Sequence, residues 1–199
     1  RIQRFHKGAF LLAEELKLDI LPVMIHGAGD CMTKGENILR RGMATLKFFP
    51  RVRYEDRSFG NDYHERTKAL LTFFREEYAK MKTKIETPAY FRRKLVRNYI
   101  YKGPVLEWYT RIKLSLEDNY DKINSLVPRE GRIVDIGCGY GMVSYMLGFV
   151  SEGRSILGID YDEDKIGLAA NCISRNDRIE FAAANAVEYY YPEADAFIL

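Results

Sequence analysis

Residues 135–141 have the sequence DIGCGYG, with a glycine at every second position from Gly137 onward. The apolar stretch GRIVDIG (131–137) leads into this segment and predicts a buried strand, and MVSYMLGFV (142–150) follows it and predicts a helix. A strand that passes through a glycine-rich turn into a helix presents backbone N–H groups to a ligand, and the missing Cβ atoms let that ligand approach. The stretch therefore predicts an anion- or nucleoside-binding corner.

The same strand–helix rhythm continues toward the end of the chain. SILGID (155–160), RIEFAAAN (178–185) and ADAFIL (194–199) predict strands. DEDKIGLAANCISR (162–175) predicts a helix whose first acidic residues complement its positive N-terminal dipole. Alternation of this kind favours a parallel sheet covered by helices, and the class of the fold is therefore α/β. Because the last strand begins so near Leu199, we expect the sheet to be truncated there.

Polar side chains follow the next two predicted strands. Asp160 ends the second strand, where its carboxylate can accept hydrogen bonds from both hydroxyls of a ribose. Tyr161 follows and can lay its ring against an adenine, while Asn185 ends the third strand and can contact the adenine edge. The alternatives are structural: the glycine turn can serve tight packing, Tyr161 can be a packing residue, and Asn185 can cap a strand end.

Three segments in order, DIGCGYG, GIDYDEDKI and FAAANA, resemble the glycine-loop, ribose and adenine motifs of class I S-adenosylmethionine-dependent methyltransferases. The resemblance covers residues 129–199 and implies the first half of a Rossmann-like parallel sheet with S-adenosylmethionine as cofactor. It implies that the glycines line the methionine and ribose portion, that Asp135 orients the loop or the ligand's amino group, and that Asp160 holds the ribose. The implied cofactor-binding residues are Asp135, Gly137, Cys138, Gly139, Gly141, Asp160, Tyr161, Asn185 and Ala186.

Dinucleotide binding is the alternative for the same corner. The NAD fingerprint is G-x-G-x-x-G, and its third glycine position is occupied here by Met142. The residues that contact the methyl acceptor usually follow the fourth strand in the methyltransferase family. We therefore assign no catalytic residue.

Residues 1–82 show a separate alternation of elements. GAFLLAEELKL (8–18) predicts a helix, and both DILPVMIHG (19–27) and MATLKFFPRV (43–52) predict strands. The glycine-rich segment GAGDCMTKGEN between the two strands predicts a loop. Residues 62–84 predict a long amphipathic helix, which ends before Pro88.

The segments KGAF (7–10) and LPVMI (21–25) resemble the second half of a lysophospholipid acyltransferase of the 1-acylglycerol-3-phosphate acyltransferase kind. That family depends on an H-x4-D pair, in which the histidine is the general base. The three histidines of this chain are followed at the fifth position by Leu11, Cys31 and Ala69, so we expect no acyltransferase activity from this chain alone. Arg1, Arg4 and Lys7 are candidates to face a phosphate, or they are simply solvated.

Residues 83–128 form a basic and aromatic connector, for which we expect two or three helices broken near Gly103-Pro104. Ten Lys or Arg stand against two Glu between Lys80 and Lys113. Three alternatives explain this composition: a cap on the sheet with its aromatic rings inward, a lipid or membrane surface as partner, or nucleic acid. No nucleic-acid-binding signature accompanies the charge, and we expect no nucleic-acid partner.

The composition is that of a soluble globular protein, with 47% hydrophobic and 30% charged residues among 199. The net charge of +3 does not indicate nucleic-acid binding by itself. Three widely spaced cysteines form neither a disulfide framework nor a metal cluster and favour a reducing, cytoplasmic compartment. No apolar run is long enough to span a bilayer.

The chain begins without Met, and we expect it to be a piece of a longer protein. The order of the two resemblances is similar to that in Bacteroides-type fusions of a membrane transporter, an acyltransferase and a methyltransferase, so we expect membrane association through the rest of such a protein. A non-catalytic adaptor at a membrane surface is the hypothesis from another class. The sequence does not predict the oligomeric state.

Overall fold

A computed structural model of the chain describes residues 2–6, 8–32, 37, 39–117 and 119–199. The chain divides into two compact units, residues 1–84 and residues 85–199, hereafter the first unit and the second unit. The helices of the predicted connector, 83–128, belong to the same compact unit as the sheet of residues 129–199. No helix in the described ranges is both long enough and apolar enough to cross a membrane.

The first unit is built from helices and one small antiparallel sheet. Its elements are α1 (Gly8–Leu16), β1 (Val23–His26), α2 (Ala28–Cys31), β2 (Thr45–Phe48) and α3 (Tyr63–Ile85). β1 and β2 pair with Val23 opposite Phe48 and His26 opposite Thr45. The predicted helices and strands are all present. The predicted loop contains the short helix α2, and residues 33–36 of that loop lie outside the described residues.

A buried cation joins α1 to α3 in the first unit. The side chain of Arg66 is fully buried, and its Nη1 donates to Oε1 of Glu14 at 2.9 Å. The guanidinium also lies over the ring of Phe10, 4.6 Å from the ring centroid. A buried guanidinium needs such partners because an unpaired charge in the interior is costly. The ion pair therefore fixes how the two helices pack within this unit.

The described part of the second unit consists of one parallel sheet, helices that precede the sheet in the chain, and helices between its strands. Its elements are α4 (Pro88–Tyr99), a 3₁₀ helix (Ile100–Lys102), α5 (Pro104–Leu116), α6 (Asn119–Leu126), β3 (Glu130–Ile136), α7 (Met142–Val150), β4 (Gly153–Asp160), α8 (Glu163–Ala170), β5 (Ile179–Ala183) and β6 (Ala196–Ile198). The predicted α/β class with a parallel sheet is confirmed. α8 ends five residues before the predicted Arg175, because Asn171 leaves the helical conformation and its side chain donates to the carbonyl of Gly167.

The strand order β5-β4-β3-β6 places the glycine turn at the centre of the sheet. From β3 the chain proceeds through β4 to β5 on one side and then returns to β6 on the other side of β3. In open parallel sheets a ligand crevice forms outside the carboxyl ends of the strands where this direction reverses. The loop that follows β3 lies at that point.

α4 of the connector packs on α7, the helix that lies against one face of the sheet. Phe91, Leu95 and Tyr99 of α4 are buried in one cluster with Tyr145 and Phe149 of α7. This part of the connector is a cap with aromatic rings inward, as one of the three alternatives predicts. The 3₁₀ helix and α5 differ, because the side chains of Tyr101 and Trp108 are exposed. On the opposite face, Tyr189 and Tyr191 from the segment between β5 and β6 pack against buried strand residues.

Candidate functional site

All three glycines of the loop between β3 and α7 have left-handed backbone conformations. The φ angles are 73° at Gly137, 53° at Gly139 and 74° at Gly141. A residue with a Cβ adopts this region at a cost, so glycine is required by the backbone path itself. The loop is also tied to the neighbouring strand, because the N–H groups of Gly137 and Cys138 both donate to the carbonyl of Ile159, at 2.7 and 3.0 Å.

The space around the three glycines differs. A Cβ placed on Gly137 would meet no atom within 4 Å, and one on Gly139 would come no nearer than 3.9 Å, to Oδ2 of Asp160. A Cβ on Gly141 would lie 2.6 Å from the ring of Phe181. The first two glycines therefore leave open space beside the backbone, whereas the third serves close packing between the loop and β5.

The open space belongs to a cavity of about 230 Å³ at the carboxyl ends of β3 and β4, which we call the glycine-loop hollow. Five of the predicted site residues line it: Asp135, Gly137, Cys138, Gly139 and Asp160. These residues are brought together because β3 and β4 pair in parallel, with Asp135 opposite Gly158. Met142, the residue at the third position of the dinucleotide fingerprint, also lines the hollow.

Asp160 is held in a fixed position between the glycine loop and β5. Its Oδ2 accepts a hydrogen bond from the N–H of Gly139 at 2.8 Å, and its Oδ1 accepts one from the N–H of Asp162 at 3.0 Å. Its backbone carbonyl accepts a hydrogen bond from Ala184 at 2.9 Å. An ionised carboxylate offers about four acceptor positions, so two remain for the hydroxyl groups of a ligand.

Asp135 is a buried carboxylate, with 4% of its surface exposed, at the wall of the hollow. Burial raises the pKa of Asp135, hydrogen bonds from Ser144 lower it and the charge of Asp160 raises it, with a net value of about 6. The Oγ of Ser144 donates to Oδ2 of Asp135 at 2.5 Å. No cationic side chain of the described ranges forms an ion pair with this carboxylate, so the site favours a ligand with a cationic group here.

The environment of Cys138 disfavours the nucleophilic form of its thiol. Burial raises the pKa of Cys138, and the charges of Asp135 and Asp160 raise it further. The thiolate is the reactive form of cysteine, and it is disfavoured here. The Sγ of Cys138 lies 2.9 Å from the position that a Cβ on Gly158 would occupy, so the side chain fills the gap above β4.

Four predicted residues lie outside the lining of the hollow. Gly141 packs against Phe181, and the side chain of Tyr161 is 80% exposed just after β4. The Oδ1 of Asn185 accepts a hydrogen bond from the N–H of Val187 at 3.1 Å, and the carbonyl of Ala186 accepts one from the hydroxyl of Tyr191 at 2.7 Å. The structure therefore gives Asn185 and Ala186 roles in the turn after β5.

Besides Met142 and Val143 at the start of α7, four further lining residues were missed by the sequence analysis. Tyr109 and Lys113 of α5, Tyr140 of the loop and Lys165 of α8 complete the walls of the hollow. The rings of Tyr109 and Tyr140 meet edge to face, with centroids 5.7 Å apart. Tyr109 and Lys113 are four residues apart and so share one helix face, but only the packing of α5 decides that this face is turned toward the loop.

The helical cap also holds the loop directly. The hydroxyl of Tyr99, whose side chain is fully buried, donates to the carbonyl of Tyr140 at 2.8 Å. At the opposite wall, the Nζ of Lys165 lies 3.0 Å from Oδ2 of Asp162, and this hydrogen bond raises the pKa of Lys165. The glycine-loop hollow is thus walled by two strand ends, one loop and three helices, α5, α7 and α8.

Comparison of the sequence with protein-family models and with curated proteins gives no match. Two kinds of solved methyltransferase structure are similar to the chain at a low level. Human N-acetylserotonin methyltransferase in complex with SAM has 15% identity and a TM-score of 0.38, over 94% of this chain and 53% of that one. The plantazolicin methyltransferase BpumL, in complex with a monoazolic desmethylPZN analog and SAH, has 17% identity and a TM-score of 0.34, over 60% of this chain and 48% of that one.

The chain spans about half the length of these similar structures.

Proposed function

We propose that the second unit binds S-adenosylmethionine and belongs to a methyltransferase. One observation carries this proposal: bare backbone at Gly137 and Gly139 faces open space between two carboxylates, Asp135 and Asp160. The bare backbone lets a ligand lie against the loop, and each carboxylate offers hydrogen-bond acceptors to hydroxyl or ammonium groups.

The residues of the hollow fit the parts of this cofactor. Asp160 would accept hydrogen bonds from the ribose hydroxyls, and Asp135 would pair with the amino group of the methionine portion. The cavity of about 230 Å³ is at the small end for a ligand pocket, so the adenine would extend past it toward Tyr161, Asn185 and Ala186. When bound, the sulfonium of the cofactor supplies an already activated methyl group, so the task of the protein is to position the acceptor.

The charge of the hollow favours a nucleoside over a dinucleotide. A pyrophosphate next to the buried carboxylate of Asp135 would place like charges together in a poorly solvated site. Met142 stands where the dinucleotide fingerprint has its third glycine, and only 3% of this residue is exposed. A ligand with a cationic amino group would instead form an ion pair with the carboxylate of Asp135.

Calorimetric titration of the chain with S-adenosylhomocysteine tests this proposal. We expect binding to weaken at least tenfold in Asp160→Ala and in the isosteric Asp160→Asn, because the charged acceptor of the ribose is lost. Asp164→Asn removes an exposed carboxylate from the start of α8 and is the matched control, which should bind as the unmodified chain does. Heat from NADH with none from S-adenosylhomocysteine would instead identify a dinucleotide site.

For the first unit we propose binding of an acyl chain, as in the lysophospholipid acyltransferases that its sequence resembles. An apolar cavity of about 410 Å³ lies between α1, β1 and α3 and is lined largely by Phe5, Phe10, Val23, Leu70 and Phe74. Arg4 and His6 also border this cavity and would lie near a polar head group. Arg1 and Lys7, the other predicted phosphate contacts, lie outside the described residues.

Displacement of a fluorescent fatty acid by lysophosphatidic acid tests the second proposal. Ala9 borders the cavity, so Ala9→Trp should fill it and weaken binding at least tenfold. Ala79→Trp is the control, because Ala79 is an exposed residue of α3 that does not border the cavity. Equal displacement from both variants would contradict an acyl-chain site here. From the order of the two resemblances we also propose that the chain is fused to a membrane transporter in a longer protein and is associated with the membrane through it.

A further inference from the structure

We propose that α5 and an adjacent group of arginines dock the second unit on the surface of an anionic phospholipid bilayer. This inference is independent of what the glycine-loop hollow binds. It rests on two features that lie side by side: an exposed apolar face of α5, and a basic groove between α4 and α5.

The first feature is an apolar stripe along α5, formed by Val105, Trp108, Tyr109, Ile112 and Leu116, which we call the α5 stripe. Exposed fractions are 83% for Val105, 65% for Trp108 and 79% for Leu116. Val105, Trp108, Ile112 and Leu116 follow one another at intervals of three or four, and Tyr109 borders them, so the five residues share one helix face about 100° wide. The opposite face is the one that packs on the unit, with Leu106, Thr110 and Leu114 buried.

The second feature is a cavity of about 420 Å³, which we call the arginine groove. Arg92, Arg93 and Arg97 of α4 and Arg111 of α5 line it above an apolar floor. Arg111 forms an ion pair with Glu107 at 2.7 Å. No carboxylate in the described part of the chain pairs with the three arginines of α4, so their charges are available to an anionic partner.

The combination of the two features selects a lipid surface over other partners. Arginines near an anionic bilayer are attracted to its head groups, and aromatic and aliphatic side chains of an interfacial helix enter the boundary with the acyl chains. Nucleic acid would engage the arginines but would leave Val105, Ile112 and Leu116 in water, because only aromatic rings stack on bases. A second copy of the chain would bring two basic surfaces together, since residues 88–117 hold seven Lys or Arg against two Glu.

Docking through α5 has a consequence for the hollow. Tyr109 belongs to the α5 stripe and also lines the glycine-loop hollow, as does Lys113 one turn later. A bilayer that receives the stripe therefore lies beside the mouth of the hollow. An amphipathic molecule held in the bilayer would reach the hollow without leaving the lipid.

The experiment uses the single tryptophan of the chain, which is Trp108 of the stripe. The full chain is mixed with vesicles of phosphatidylcholine, with or without phosphatidylglycerol, at low and moderate salt. We expect co-sedimentation and a blue shift of Trp108 emission with the anionic vesicles only, and both should decrease as salt screens the attraction. Added S-adenosylhomocysteine is not needed for this result.

Variants separate the contributions of charge and apolar surface. Neutralising one arginine near the bilayer should weaken binding about fivefold, so Arg92→Gln/Arg93→Gln/Arg97→Gln should weaken it about a hundredfold. The control Arg75→Gln/Lys122→Gln/Arg175→Gln removes the same charge from exposed positions elsewhere and should weaken binding far less. Val105→Ser/Ile112→Ser should reduce both binding and the blue shift, because it removes apolar surface from either side of Trp108.

Several outcomes would overturn the proposal. These are equal weakening by the two triple variants, vesicle binding that leaves Trp108 emission unchanged, or no binding to anionic vesicles at low salt. A blue shift that appears without vesicles and grows with protein concentration would assign the stripe to self-association. An equal blue shift with an RNA oligonucleotide would assign the surface to nucleic acid.

Discussion

The N–H of Gly139 donates to Oδ2 of Asp160 at 2.8 Å, although the two residues are 21 positions apart in the chain. This bond joins the loop after β3 to the end of β4, and it places the carboxylate directly beside bare backbone. The same carboxylate also accepts a hydrogen bond from Asp162. A loop fixed in this way has its final shape before a ligand arrives, which lowers the entropic cost of binding.

Removal of this carboxylate should destabilise the second unit as well as weaken ligand binding. We expect Asp160→Ala to lower the free energy of unfolding by about 3 kcal/mol, because two backbone N–H groups lose a charged acceptor. Asp160→Asn keeps an acceptor oxygen and should cost about 1 kcal/mol. Urea unfolding followed by Trp108 fluorescence measures both, since Trp108 lies in the second unit. Equal stability of all three proteins would show that the bond to Gly139 has no structural role.

Gly137 and Gly141 provide a matched pair of alanine substitutions, because their φ angles are nearly the same. Both variants should lose about 1 kcal/mol from the left-handed backbone conformation. Gly141→Ala should lose about 2 kcal/mol more, because its Cβ would meet the ring of Phe181, whereas Gly137→Ala has open space. Gly137→Ala should instead lose binding of S-adenosylhomocysteine.

Urea unfolding and calorimetric titration of the two glycine variants measure these opposite effects. Phe181 also lies against Gly158, so its ring cannot move away from a new methyl group without a further contact. Phe181→Leu should therefore relieve part of the loss in Gly141→Ala. If Gly137→Ala were the less stable variant, the open space beside that residue would not exist in solution.

Because of Asp135, the free energy of unfolding of the second unit should fall as pH rises. Its folded pKa of about 6 lies above the ordinary value of 3.8, so the folded state binds the proton more tightly than the unfolded state. The resulting stabilisation is fully present below pH 3.8 and is lost as pH rises through about 6, at a total cost of about 3 kcal/mol. Asp135→Asn should remove this loss, because its side-chain oxygen can still accept the hydrogen bond from Ser144.

The measurement is the difference in unfolding free energy between Asp135→Asn and the unmodified chain, from pH 4 to pH 8. Other carboxylates with lowered pKa values, such as Asp162, contribute in the opposite direction and cancel in this difference. Asp164→Asn, at an exposed carboxylate of α8 outside the hollow, is measured alongside as the reference variant. A flat difference for Asp135→Asn would mean that this carboxylate is not buried in solution.

Arg154 should be one of the most sensitive positions outside the hollow. Its guanidinium is almost fully buried and donates to the carbonyls of Pro128 and Val127, at 2.8 and 3.3 Å, and to Oδ1 of Asn124 at 2.7 Å. Burial lowers the pKa of Arg154 to about 10, which keeps the group charged at neutral pH. Arg154→Met should cost about 3 kcal/mol, because the end of α6 and the entry to β3 lose their shared donor.

Urea unfolding with Trp108 fluorescence also checks this prediction. Arg154→Lys keeps the charge but has no planar fork of donors, so its stability should lie between those of the methionine variant and the unmodified chain. Arg175→Met is the control at an exposed arginine and should change the free energy of unfolding by less than about 0.5 kcal/mol. A similar loss of unfolding free energy at both positions would show that Arg154 has no specific structural role.

Local patterns in the sequence were sufficient to predict the elements. The glycines at alternate positions, the apolar stretch before them and the helical spacing after them predicted β3, the loop and α7, and the observed bounds of α7 are those predicted. The position of Asp160 at the end of a strand was also evident, because strand ends follow from short-range periodicity. The sequence predicted the same role for all three glycines and could not distinguish Gly137 and Gly139, which leave open space, from Gly141, which packs against Phe181.

What the sequence by itself determined is the order of strands and helices and the chemical nature of the loop, because periodicity and backbone preferences act over a few residues. Only the tertiary structure decided that Asp160 meets Gly139, that Phe181 occupies the space beside Gly141, and that Tyr109 of α5 closes the hollow. These contacts join residues more than twenty positions apart, so they depend on the strand order and on which face of each helix is buried, and neither property is encoded by spacing within one element.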